Sequence, residues 1–452
     1  MGALSTFSPE LAAMPSTLPL TPQILLTPER PGLTAGRDNV LDLLVQVQLP
    51  EAPPGTLASR PPQALALVID RSGSMAGPPL YEACRCAEFV VDRLRPQDPL
   101  ALVQFDQRVD VLLPARPRGD GEAARQAIRT IHDGGSTNLH GGWQAGATAL
   151  REVTGPGLKR VILLSDGQAN VGCTDDDLIA QAVAEVSGAG ITTSTYGLGR
   201  HFNENLMIQM AKAGAGNHYY GDTAEDLAEP FEEELSLLAN LGWRDVRLTL
   251  TPAPGIEAEM LNELAPQGQA WRLPDIAWGA EAWAVIRLRI PAGLIPSATT
   301  SPPLLSVQVS GQTPTGETQS AGPVALTLPG LAAAAAARLP ASDLVHQRRG
   351  EVEAGKILLQ VRHAALRGDW QRVEALVREA RERFSDNEWT TGILQAMHQL
   401  VEQRQLDRLS KETRYSSARL SRRLAATRVR EEGETDGASY LRRKILQGKS
   451  LH

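Results

Sequence analysis

The stretch ALALVIDRSGSM, residues 64–75, decides the reading of this chain. An apolar run from Ala64 to Ile69 stops at Asp70, and a polar turn, Asp70-Arg71-Ser72-Gly73-Ser74, follows at once. Buried strands of parallel sheets read as continuous apolar runs, and open sheets of this kind place their ligands at the carboxyl ends of the strands. One carboxylate and two hydroxyls are therefore delivered where such a sheet binds. Their oxygens are hard donors, suited to Mg²⁺, Mn²⁺ or Ca²⁺ and poorly suited to soft metals. Gly73 lets the chain turn tightly enough to aim both hydroxyls at one point. Taken alone, the same residues also describe an ordinary strand end, a polar turn and a helix cap.

Two later segments add to the pattern. Gly134-Gly135-Ser136-Thr137-Asn138 is a turn that carries hydroxyls just ahead of a helical stretch. Val161-Ile162-Leu163-Leu164-Ser165-Asp166-Gly167 is a second apolar strand ending in Asp-Gly. In these three pieces, in this order, the chain closely resembles the von Willebrand factor A (VWA) domain family. The metal-ion-dependent adhesion site of that family is a DxSxS turn, a Thr in a Gly-rich loop and an Asp ending a later strand. The resemblance implies metal positions at Asp70, Ser72, Ser74, Thr137 and Asp166, with Thr137 favoured over Ser136. It implies Mg²⁺ or Mn²⁺, with the carboxylates acting directly or through water, and a partner's Asp or Glu taking an open coordination position. Two carboxylates neutralise a divalent ion, and the hydroxyls add no charge. Arg71 falls outside the family's metal positions: it either steers an acidic partner or is a plain surface residue. Asp106, ending the second strand, is at most a supporting residue. The resemblance also implies that the last VWA helix, about Thr223 to Asn240, shifts when ligand binds.

Around this core the alternation is regular. Strands are expected at about 64–70, 100–105, 160–165 and 190–197, with helical stretches between them. That is the βαβ pattern of a doubly wound, mostly parallel, Rossmann-like α/β sheet. Leu80 to Leu94 and Leu139 to Val153 read as helices, and Gln107 to Leu113 as an edge strand. Thr174 is the expected cap of a further helix, with Asp175 to Asp177 in its first turn. Asn217 to Tyr220 reads as a closing strand.

Outside it the character changes. Trp243 to Leu250, Glu281 to Ile290, Leu304 to Val309 and Pro323 to Leu328 predict a small antiparallel β-sandwich. The isolated strand Val40 to Leu49 is expected to complete it, making the sandwich discontinuous around a VWA insert. Several bacterial VWA proteins are built this way. The expected division is an irregular segment 1–21, sandwich strands plus linker 22–61, the VWA domain 62–240, the sandwich 241–330 and a helical domain with a basic tail 331–452. Within the last, Ser342 to Arg367 reads as one helix, Asp369 starts the next, and Ser385 or Asp386 caps a third through about Leu409. The turn Gly368-Asp369-Trp370 resembles a tetratricopeptide hairpin, with no second copy.

Composition narrows the function. The chain has 452 residues and a net charge of −7. That length predicts two or three domains, and the acidic balance argues against a general nucleic-acid binder. No signal-peptide core or long apolar spanning run is present, so no membrane association is expected. Cys84, Cys86 and Cys173 make a sparse, odd set that predicts no disulfide framework and fits a reducing cytosol. HExxH, GxSxG and P-loop motifs are absent, and Gly197-Leu198-Gly199 is followed by Phe202 where a dinucleotide fingerprint needs glycine. His132 and His140 flank the Thr137 loop without a second ligand at metal spacing. The expectation is a non-enzymatic cytoplasmic scaffold that binds a protein partner through the metal; an AAA ATPase or a kinase–phosphatase set are the analogies. The alternatives are a ribonucleoprotein or nucleic-acid factor using the basic tail from Arg414 to Lys444, and a metal-dependent hydrolase.

Overall fold

Every residue from Ala64 to Asp70 is buried, because this strand lies inside a six-stranded sheet covered on both faces. In the computed structural model the described residues are 21–53, 60, 62–155, 157–198, 203–221, 224–295, 302–422 and 425–426. All but Thr21 of the irregular segment expected at 1–21, part of the linker at 54–59, and the tail from 427 onward lie outside them. The sheet order is Val109–Pro117, Pro99–Phe105, Ala64–Asp70, Lys159–Ser165, Ile191–Leu198 and Ala215–Gly221. All neighbours are parallel except the edge strand Val109–Pro117. From Ala64–Asp70 the chain first adds strands on one side and later on the other. The switch therefore falls between Ala64–Asp70 and Lys159–Ser165, where open sheets form their ligand crevice. Pairing Ile69 with Leu164 brings Asp70 level with the end of the neighbouring strand.

Helices close both faces. Leu139–Arg151 and Glu204–Ala213 take one side, where the Trp143 indole N–H donates to Thr193 Oγ1 at 3.0 Å and Thr195 Oγ1 donates to the Met207 carbonyl at 2.9 Å. Pro78–Arg93 and Ala224–Ala239 take the other, where the Phe231 ring stacks on Tyr196 at 3.9 Å. Helix Leu139–Arg151 approaches closely because Gly146 faces the strand: an added Cβ there would lie 2.5 Å from Val68 Cγ2.

The helix Ala224–Ala239 is further held by a buried carboxylate. Glu234 pairs with the fully buried Arg160 and accepts hydrogen bonds from Ser194 Oγ at 2.6 Å, Asn217 Nδ2 at 2.7 Å and Tyr219 OH at 3.2 Å. Burial pushes its carboxyl up, but Arg160 and the hydrogen bonds together hold it below its ordinary value. Arg160 also reaches Asp275 of the following unit at 3.5 Å.

The sandwich consists of two antiparallel sheets. One runs Gln23–Pro28, Asn39–Gln48, Ala280–Ile290, Glu257–Met260, and the other Ala265–Gln267, Ala270–Arg272, Leu241–Pro252, Leu305–Gln312, Thr318–Leu326. Asn39–Gln48 pairs with Ala280–Ile290 along its whole length, so the α/β sheet is an insertion between two adjacent strands of the sandwich. Leu41, Leu43, Val45 and Val47 face the sandwich core, while Leu44 packs with Trp283, Val345 and Val352 under the helix Asp343–Leu366. That two-sided burial explains the near-continuous apolar run of the strand. Polar groups between its side chains meet the helix as well. Arg348 Nη2 lies 3.3 Å from Glu281 Oε1, and Arg349 Nη1 lies 2.9 Å from Asp42 Oδ2.

The C-terminal helices depart from the expected pattern at two places. One helix was expected to run to about Leu409 from a cap at Ser385 or Asp386. Instead Asn387 Oδ1 accepts the Thr390 N–H, and the helix Glu388–Glu402 ends before a separate helix, Leu406–Arg422. The break is a turn in which Arg404 adopts φ +51° and the Gln405 N–H returns to the Leu400 carbonyl. Glycine usually marks such a stop, and none stands here. Thr174 is not a cap: the Asp175 carboxylate accepts the N–H groups of Asp177 and Leu178. Helices Glu122–Arg129 and Glu204–Ala213 were not anticipated. The first is only eight residues long, with a stripe of Ala124, Ala127 and Ile128 too short to stand out, and the second is buried nearly all round, so it shows no stripe.

Two outcomes test this packing. Gly146→Ala destabilises the chain by about 1–3 kcal/mol through overpacking, whereas Gly188→Ala, in open space at an exposed helix end, stabilises it by roughly 0.4–1 kcal/mol; urea midpoints distinguish the two. Glu234→Ala costs about 3–5 kcal/mol because it removes the nearer of the two carboxylates that balance a fully buried guanidinium. Since the native carboxyl titrates below its unfolded value, this contribution is complete above the ordinary glutamate range and fades as pH falls through the lowered native value. The gap between wild type and variant therefore narrows in acid.

Candidate metal centre

Asp70 ends its strand fully buried, with both carboxylate oxygens already oriented. Oδ1 accepts the Ser72 N–H at 2.9 Å and Oδ2 accepts the Ser165 hydroxyl at 2.5 Å. The turn that follows places Ser72 Oγ and Ser74 Oγ 3.2 Å apart. Ser72 is buried and Ser74 is exposed.

Backbone hydrogen bonds tie this turn to the second loop. The Gly134 N–H donates to the Arg71 carbonyl at 2.6 Å, and the Gly73 N–H to the Gly135 carbonyl at 2.7 Å. Within that loop Thr137 is buried and Ser136 is exposed. The third loop closes on the second: Asn170 Oδ1 accepts the Thr137 N–H at 2.6 Å, and the Thr137 carbonyl accepts the N–H groups of Asn170 and Val171. Asp166, 4% exposed, follows directly on Ser165, the residue bonded to Asp70. All five residues expected at the site thus stand on three mutually bonded loops at one end of the sheet.

Burial, offset in part by the hydrogen bonds from Ser165 and Ser72 and reinforced by the charge of Asp166, pushes the Asp70 carboxyl up to about 6. Among the described residues no Lys, Arg or His forms an ion pair with Asp70 or Asp166. Two buried carboxylates beside hydroxyl oxygens, without a basic partner, form a donor set that fits a hard divalent cation. No group of three or more His, Cys, Asp or Glu side chains is placed to hold a metal among the described residues, so an ion at this site would have to take its further oxygens from hydroxyls.

The surroundings refine several expectations. Arg71 neither projects freely to steer a partner nor lies idle on the surface. Its Nη2 sits 2.9 Å from Asp106 Oδ2, and its Nη1 donates to the His132 carbonyl at 3.3 Å. Asp106 in turn accepts the Arg108 N–H at 2.6 Å, and its own carbonyl accepts the Asn138 N–H. These two residues clamp the first loop to the second. His132 is exposed, while His140 lies against the Trp143 ring at 5.8 Å, where burial lowers its pKa. Ser165 and Asn170 were missed by the sequence reading. Ser165 is legible only once the two central strands are known to be neighbours, and Asn170 only once the loops are known to meet.

Comparison with known proteins agrees with this geometry. The family model of the von Willebrand factor type A domain matches residues 64–233. The chain is 28% identical over 206 residues to the uncharacterized protein sll0103 of Synechocystis, covering 46% of this chain and 49% of that protein. It is 30% identical over 192 residues to the uncharacterized protein YfbK of Escherichia coli, covering 41% and 33%. Against human inter-alpha-trypsin inhibitor heavy chain H3 it is 29% identical over 188 residues, covering 39% and 21%. The chain thus spans half or less of the length of these relatives. Two solved structures share the fold over most of the chain. A von Willebrand factor type A protein from Catenulispora acidiphila superposes with a TM-score of 0.63 at 19% identity, covering 84% of this chain and 90% of that one. The ArnB paralog VWA2 from Sulfolobus acidocaldarius gives 0.53 at 17% identity, covering 88% and 99%. Residues 64–233 thus match the von Willebrand factor type A domain and share its fold, set in a β-sandwich and followed by helices.

Proposed function

We propose that the protein is a metal-dependent interaction scaffold that captures an acidic side chain of a protein partner at the loops above Asp70. Domains of this family are in general protein-interaction modules. The observation that carries the reading is the convergence of three hydrogen-bonded loops, at the switch point of the sheet, on two buried carboxylates that have no basic partner among the described residues. In this reading Asp70, Ser72, Ser74, Thr137 and Asp166 hold Mg²⁺ or Mn²⁺. When bound, the ion supplies an electrophilic position open to an anionic oxygen. The chain's own residues do the rest. Ser165 and the Ser72 N–H fix the Asp70 carboxylate, and the Arg71–Asp106 pair holds the loop geometry.

Binding is favoured over turnover. A hydrolase needs a base beside the ion, yet His140 is turned against Trp143 and His132 stands at the surface. The nucleic-acid reading draws on a basic tail of which 423–424 and 427–452 lie outside the described residues. Its first part, the helix Leu406–Arg422, buries Leu409, Thr413, Ser416 and Leu420 in the bundle. An acidic surface on an AAA ATPase or on a component of a kinase–phosphatase set is the partner class favoured by analogy. No helix among the described residues is long and apolar enough to cross a membrane. Three scattered cysteines, Cys84, Cys86 and Cys173, with no disulfide among the described residues, support placing the protein in the cytoplasm.

Titration with Mg²⁺ or Mn²⁺ gives saturable heat and raises the unfolding midpoint, approaching about 2.7 kcal/mol of stabilisation at a hundredfold excess over Kd. Asp70→Ala and Asp166→Ala abolish both signals, Thr137→Ala weakens them, and Ser136→Ala leaves them unchanged. Wild-type chain that takes up neither ion defeats the assignment. In a pull-down from the native cell, a partner retained with Mg²⁺ is lost with chelator and with Asp70→Ala. Retention in both controls places the contact elsewhere on the protein.

A further inference from the structure

We propose that the C-terminal helical bundle tunes the affinity of the metal centre through the helix Glu204–Ala213, with Glu204 and Arg362 as positioning residues for Asp166. This rests on the reading of Asp166 as a metal-holding residue.

The link can be followed atom by atom. The Asn203 N–H donates to the carbonyl of Asp166 at 2.7 Å, and Asn203 Oδ1 accepts the Leu206 N–H at 3.2 Å. The residue that caps the helix is therefore also bonded to the backbone of the metal loop. Contact continues one residue on, since a Cβ added at Gly167 would lie 2.9 Å from Met207 Cγ. On the far side of the same helical turn, the buried Glu204 carboxylate faces the bundle. Arg362 Nη2 of the helix Asp343–Leu366 lies 3.6 Å from Glu204 Oε2, and Arg414 and Lys411 of the helix Leu406–Arg422 add positive charge around it. Arg362 does not hang from one helix alone, because its Nε donates to Ser410 Oγ at 3.0 Å. A second anchor lies nearby: Tyr415, from the same bundle, meets Tyr220 edge-on at 5.7 Å and is buried within the core of the α/β sheet.

The first turn of Glu204–Ala213 is thus squeezed between the Asp166 loop and the bundle. Any shift in how the bundle seats moves this turn, and with it the carbonyl that sets the direction of Asp166. Coupling of this kind is reciprocal in binding free energy. A bound ion must therefore favour the seated bundle as much as the seated bundle favours the ion.

The test uses the intact chain and Mn²⁺ alone. Calorimetric Kd values are measured for wild type, Glu204→Gln, Arg362→Gln and the double variant, with hydrogen exchange followed in 343–366 and 406–422 with and without the ion. Each single variant is expected to bind Mn²⁺ about fivefold or more weakly. The double variant is no worse than the single ones, and Mn²⁺ slows exchange in both helices of the wild type. Should Arg362→Gln fold poorly, the near-isosteric Glu204→Gln carries the test. Affinities within twofold of wild type, or exchange in the bundle indifferent to Mn²⁺, overturn the coupling and leave the metal reading intact. Absence of Mn²⁺ binding to the wild type overturns both.

Discussion

A carboxylate buried at the end of a central strand, in the field of another carboxylate, is the constraint on which the rest depends. Among the described residues Asp70 has no basic neighbour, and its compensation comes from Ser165 and from the Ser72 N–H and side chain. Burying such a group is unfavourable, and its raised pKa is the visible sign of that cost. A carboxylate left in that state suits the cation-holding role proposed for it. The surrounding loops follow from the same need. Backbone hydrogen bonds hold all three, and the Arg71–Asp106 clamp adds to the link between the first two, so that the oxygens keep one arrangement.

Elsewhere the molecule uses charge differently. Glu234 with Arg160, Asp42 with Arg287 and Arg349, and Glu281 with Arg348 are paired and hydrogen-bonded within or between the three layers of the chain. Such pairs add little net stability, because desolvation offsets most of the attraction, but a misplaced partner is heavily penalised. They therefore act as registration marks. The sandwich, the inserted sheet and the helices settle in one relative arrangement because every alternative leaves a charge stranded. The contrast with Asp70 is plain: structural carboxylates here have guanidinium partners, and those at the centre have none among the described residues.

Much of this was legible beforehand. The continuous apolar run of 64–70 and the alternation after it fixed the parallel sheet, and the order of the three loop motifs indicated the end of the sheet where they meet. What escaped had physical reasons. Helix Glu204–Ala213 is buried around its circumference and so lacks a stripe. The stop at Arg404 relies on a left-handed residue other than glycine. Thr174 lost the capping role to Asp175, a neighbour with an equally good acceptor. Ser165 and Asn170 matter only through contacts with strands and loops distant in sequence, which single-chain patterns do not disclose. Arg71 looked exposed because its partner, Asp106, arrives from another strand.

The interruption of the sandwich has a consequence for biosynthesis. Gln48 and Glu281, joined by a hydrogen bond, are 233 residues apart in the chain. As the polypeptide leaves the ribosome, the strand Asn39–Gln48 emerges early and waits, its apolar side chains and open edge unmatched, until Ala280–Ile290 has been translated. The inserted sheet needs no such delay, since its strands follow one another closely. Domains tend to collapse as they emerge, and unpaired edges invite aggregation. The nascent chain can thus complete its inserted module before its frame, with the early strand paired on one edge alone, by the preceding Gln23–Pro28.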